Sequence, residues 1–162
     1  MSASLKPSAG GGARAQAPDP GAHPVERHRA RAWALQILYW WEASGTPGTL
    51  LDALAEVGAT RRIAPCRLPY IERLLSTLQD HLEGVDDALR TQLDNWRLDR
   101  LAVIDRGILR LAATEILHLD DVPPKVSIQE AVRLAEAYGG LESPGFVNGV
   151  LDGLYRRERP GS

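Results

Sequence analysis

The segment Glu26-Arg27-His28-Arg29-Ala30-Arg31 is the most basic short stretch of the chain. Guanidinium groups are planar, permanently charged and forked, which suits them to phosphate oxygens. Tyr39 and Trp40 follow in the same helical pattern but off its apolar stripe. Rings placed beside arginines can stack on unpaired bases, so the combination fits a single-stranded nucleic acid. A merely solvated basic face is the plainer alternative. The one His/carboxylate cluster is His118-Leu119-Asp120-Asp121. It stands at a predicted helix end, where polar residues are expected, and no second cluster lies at ligand spacing, so no metal role is assigned to it. The sequence holds no glycine-rich phosphate loop after a strand, no nucleophile elbow and no carboxylate pair that can be placed on one face. No catalytic residue and no cofactor are assigned, and the chain is read as a binding protein rather than an enzyme.

The elements that must carry these groups are helical. The chain has 162 residues, 44% of them hydrophobic and 25% charged, the length and composition of one globular domain. Its net charge of −2 means that any nucleic acid must be held by a local patch. The single cysteine, Cys66, excludes an internal disulfide framework and a cysteine-rich zinc site. No apolar run is long enough to span a membrane, no signal-peptide pattern opens the chain, and a cytoplasmic location is expected.

Residues 1–24 are rich in Ala, Gly, Ser and Pro, with Leu5 the only large apolar residue, and are read as a flexible tail. From Val25 the apolar positions Ala30, Trp33, Ala34, Ile37, Leu38 and Trp41 recur at helical spacing until Ser44-Gly-Thr-Pro-Gly48. A short helix carries Leu50, Leu51, Leu54 and Ala55. A third begins near Pro69 with Ile71, Leu74, Leu75, Leu78 and Leu82, and after Gly84 a briefer segment carries Val85, Leu89, Leu93 and Trp96. The next helix presents Ile104, Ile108, Leu111, Ala112 and Ile116. Pro123-Pro124 is read as a break, with Ser127-Ile-Gln-Glu130 as the capping box that opens the following helix. No segment alternates with period two. The fold class is therefore all-α, with roughly seven helices, in a domain spanning 25–158 and followed by a short tail, 159–162.

The last helix, starting at Ser143-Pro144, carries Gly145, Gly149 and Gly153 on one face. Such a row is expected to let it approach the Ile128 helix closely, since interior glycines otherwise cost helix stability. The helix N-terminus could separately receive a phosphate on its free N–H groups.

Three blocks resemble the NusB family of transcription antitermination and ribosomal RNA processing factors. They are Arg29-Ala-Arg31 running into ALQILYWWEAS, then IDRGILRLAATEIL, then DVPPKVSIQEAVRLAEAYGGLESPGFVNGVLD. The resemblance implies two packed helical sub-bundles. It also implies binding of boxA RNA from ribosomal RNA leaders, together with ribosomal protein NusE, within the RNA polymerase antitermination complex of Nus factors. By position it places Arg27, Arg29, Arg31, Ser143 and Phe146 at the RNA, and Tyr39 and Asp105 at NusE. Arg27 and Arg31 share a helical face and are expected to act as a pair on successive phosphates. Gly145 stands where the family often has Lys or Arg, and Asp105 where Glu is common. A helical protein-interaction or homodimerisation module that binds no RNA is the competing reading.

Overall fold

Pro24 opens the first helix, α1 (Pro24–Ala43), where a missing N–H is harmless, and His23 caps it by accepting from Val25 N at 3.2 Å. In the computed structural model, which describes residues 20–94 and 96–158, a 3-10 turn at Pro20–Ala22 precedes α1 and packs on it. The expected flexible tail lies outside the described residues over 1–19, as does 159–162. Gly45, Thr46 and Gly48 adopt positive φ and turn the chain into α2 (Leu50–Thr60), which opens on a capping box between Thr49 and Asp52. Then come α3 (Leu68–Arg90), α4 (Val103–His118), α5 (Pro124–Tyr138) and α6 (Ser143–Glu158).

Helices α1, α2 and α3 pack on one another, as do α4, α5 and α6, and α4 joins the two groups through α1 and α3. One core results. Ile37 and Leu38 of α1, Leu74 and Leu75 of α3, Leu109 of α4 and Leu151 of α6 are each at most 1% exposed. Gly107 lets α4 approach α1, since a Cβ there would lie 2.9 Å from Leu35 Cδ1.

The architecture is all-α as expected, and its differences from the sequence reading have local causes. Among the described residues six α-helices stand where about seven are expected, because the segment after Gly84 continues α3 across a kink at His81 (φ −122°, ψ 16°). Past Arg90 the chain leaves helical geometry, so Trp96 is 63% exposed rather than part of an inward face. The break at Pro123-Pro124 stands, with α4 ending at His118, but α5 starts at Pro124 rather than at Ser127: Pro123 takes the extended cap position, and Pro124 needs no N–H in the first turn. Ser127 is therefore inside α5, buried, with its hydroxyl unpartnered among the described residues, and forms no capping box.

The glycine row does not pack against α5. A Cβ added at Gly145 or Gly149 would meet nothing within 4 Å, and α6 reaches its neighbours through Val147, Val150, Leu151 and Leu154. Gly153 alone is close to another element, with Gln92 Oε1 2.6 Å from its would-be Cβ. Gly149→Ala is thus expected to raise stability by about 0.5–1 kcal/mol through helix propensity, read as a higher melting temperature.

Candidate nucleic-acid interface

Cations crowding the N-terminus of α1 oppose the helix dipole. The fold answers with carboxylates from other elements. Arg31 Nε donates to Glu115 Oε2 of α4 at 2.8 Å, and Tyr70 of α3 donates its hydroxyl to the same oxygen. Burial, and then the Glu115 charge, push the Tyr70 phenol far above its ordinary pKa. Arg27 lies over the Tyr70 ring, 4.3 Å from its centroid, with Asp121 Oδ2 at 3.5 Å. Arg73 binds Asp121 through both terminal nitrogens, and chiefly for that reason the Asp121 carboxyl is lowered to about 2. His28 pairs with Glu130 of α5, and Arg67 Nε donates to Glu26 at 2.6 Å. His118, of the same sequence cluster as Asp121, stacks on His81 at 3.9 Å between ring centroids.

The three arginines of the basic segment therefore differ in what they can reach. Arg29 is exposed and makes no ion pair among the described residues. Arg27 has 22% of its side chain exposed. Arg31 is 5% exposed and committed to Glu115, so the expected pairing of Arg27 with Arg31 on successive phosphates is corrected. The cause is a partner 84 positions away in the chain, which helical spacing alone cannot reveal.

A groove of about 580 Å³ runs between α1 and α5, lined by Arg29, Trp33, Arg67 and Arg133 among others. A second, of about 550 Å³, lies between α1 and α2, with Tyr39, Trp40, Val57 and Ile104 in its walls. Gln36 and Tyr138 line both. Tyr39 is 48% exposed. Asp105 follows Ile104 in the first turn of α4, and its Oδ1 is buried without a hydrogen-bond partner among the described residues.

At the start of α6, Ser143 is buried and its Oγ accepts from Gly140 N at 2.9 Å, closing the loop from α5. Phe146 is half-buried and meets Trp96 edge to face, with ring centroids 5.9 Å apart. Trp96, Arg133 and Arg67 are surface features that the sequence reading missed. Trp96 keeps the helical spacing of Leu89 and Leu93, so spacing alone could not place it on the surface.

Among the described residues, no helix is long and apolar enough to cross a membrane. The sequence matches the profile of the NusB family over residues 28–156. It is 40% identical over 127 residues to transcription antitermination protein NusB of Geobacillus kaustophilus, covering 78% of this chain and 93% of that one. The protein of the same name in Chloroherpeton thalassium is 33% identical over 138 residues, 81% of this chain, and the match spans 62% of that relative's length. Among solved structures, one of antitermination factors NusB and NusE in complex with double-stranded RNA superposes with a TM-score of 0.71 at 28% identity, covering 81% of this chain and 96% of that one. With sequence and fold in agreement, the chain belongs to the NusB family.

Proposed function

We propose that this protein is a transcription antitermination factor that binds boxA-type single-stranded RNA of ribosomal RNA leaders together with NusE. In this reading it joins the RNA polymerase antitermination complex with other Nus factors, supports ribosomal RNA transcription and processing, and acts in the cytoplasm by binding rather than catalysis. The observation that carries the reading is the likeness to a NusB that was solved with both NusE and RNA. Two features support it. The α1/α5 groove offers the exposed Arg29 and Arg133, with Arg27 nearby on α1, for phosphates, and Phe146 offers a ring at the mouth of α6. The α1/α2 groove has Tyr39, Trp40 and Ile104 in its walls with one charge of each sign, Glu56 and Arg61, and Asp105 follows Ile104 in sequence, a largely apolar surface suited to a protein partner.

Arg31 serves this reading from inside, by fixing the Tyr70 and Glu115 platform under Arg27. Ser143 serves it by holding the loop that presents Phe146.

The test is a mobility shift of a boxA-like RNA and a scrambled control, each with and without NusE. Selective binding that strengthens with NusE is the expected result. No shift under any condition sinks the reading and leaves the protein-interaction module. Asp105→Lys is expected to weaken NusE binding by tenfold or more, since like charge then meets a basic surface, with unchanged helix content. Calorimetric titration of NusE into both versions measures it.

A further inference from the structure

Trp96 is the most conspicuous ring on the surface, 63% exposed at the end of the loop that follows α3. Its setting is built rather than incidental. Phe146 braces it edge to face, at an interplanar angle of 64°. Four residues earlier, the same loop lays Gln92 against Gly153 of α6. On α6, Gly149 stands three positions after Phe146 and four before Gly153, so these residues share one helical face. The loop thus touches that face at both ends, and between them the floor is bare backbone, since a Cβ at Gly149 would meet nothing within 4 Å. Asn148 is exposed beside it. Arg97 follows Trp96 directly and Arg100 closes the 3-10 turn Leu98–Arg100 just after it, and both are exposed. Arg97 has a surface pair with Asp99 at 3.2 Å, and Arg100 makes no ion pair among the described residues.

We infer that Trp96, with Phe146 as its brace and Gly149 as its floor, is a stacking subsite for one unpaired base of the bound RNA. The inference rests on the RNA-binding reading and adds to it a residue that determines how a base is held. The chemistry singles out a base. A flat aromatic face accepts any nucleobase by stacking, the absent side chain at Gly149 leaves room for the ribose, and two arginines on short tethers meet the flanking phosphates. A protein partner fits less well. One indole and the edge of a phenyl ring offer a few hundred square ångströms at most, whereas a stable protein interface needs about 800 Å² per partner. The open floor also gives the glycine row a purpose that helix packing does not.

The test uses the full chain with NusE present and a boxA-like RNA in which each nucleotide in turn is replaced by an abasic one. Trp96→Ala is expected to weaken binding of the intact RNA by about 5- to 150-fold, and Trp96→Phe to retain most of the affinity. One abasic position is expected to reproduce the Trp96→Ala loss, and Trp96→Ala to add nothing further on that RNA. Gly149→Leu is expected to weaken RNA binding while leaving the melting temperature unchanged or higher. If the parent binds the RNA and Trp96→Ala binds it equally well, the subsite is refuted and the wider reading stands. If every abasic position adds its full loss to that of Trp96→Ala, no base sits on the indole and the subsite is again refuted. A Trp96→Ala protein that loses NusE but keeps its RNA affinity would place a protein there instead. A parent that binds no RNA with or without NusE overturns both the reading and the subsite.

Discussion

Replacing Glu115 with alanine is expected to destabilise the fold by about 3–5 kcal/mol, because it leaves the Arg31 guanidinium buried without its hydrogen-bonded counter-charge. Glu115 is 2% exposed and accepts from both Arg31 and Tyr70, so its removal strands two donors at once. Glu130, paired with His28 and 4.0 Å from Arg31 Nη1, remains as a weaker and more distant counter-charge that makes no hydrogen bond to Arg31. For a chain of this length the melting temperature should fall by about 6–20 °C. Thermal melts of Glu115→Ala beside Glu115→Gln separate the parts: glutamine keeps an acceptor for Arg31 and is expected to lose less. If both variants melt with the parent, the buried pair contributes nothing to stability and the platform under Arg27 has another support. The same residues lie inside the proposed RNA surface, so the alanine variant should be assayed for RNA binding only below its own transition.

Arg27→Ala with Arg29→Ala is expected to weaken RNA binding by about 10- to 100-fold at 50 mM salt, two charge-assisted contacts having been removed. It should also flatten the dependence of log affinity on log salt by about 1.4, the value for two phosphates of a single strand, so that the loss shrinks about sevenfold at 200 mM. The loss should be similar for boxA-like and scrambled strands, because phosphate contacts position a strand without reading it. Arg31→Ala provides the contrast. With its guanidinium buried on Glu115, it is expected to lower the melting temperature and leave the salt slope in place. A double variant with the parent's slope would show that the phosphate path avoids the start of α1. A flattened slope in Arg31→Ala alone would show that RNA binding draws Arg31 out of the core.

Much of the scaffold was legible because burial imposes a period. Ala34, Ile37 and Leu38 repeat at helical spacing, and all lie in the core. The same rule misled where a period continued past the structure that causes it: Leu89, Leu93 and Trp96 keep the spacing of a helix that ends at Arg90. Chemical groups were legible as types but not as partners. Arg27, Arg29 and Arg31 read as one basic cluster, yet their roles diverge because Glu115 and Asp121 approach from later in the chain. The glycine row was visible as a face, but spacing does not say what occupies the space in front of it, and for Gly145 and Gly149 that is solvent. Ser127 carried the residues of a helix start, and two prolines moved the start a turn earlier.

Gln36 and Tyr138 line both grooves along α1, so the two surfaces proposed for RNA and for NusE are not independent compartments. A ligand that turns the half-exposed Tyr138 ring in one groove reshapes a wall of the other. Thermodynamic linkage then requires reciprocity: whatever factor the RNA adds to the affinity for the protein partner, the partner adds to the affinity for RNA. Coupling of this kind between the proposed sites would be carried by two side chains, Gln36 and Tyr138, and would need no movement of the helices themselves.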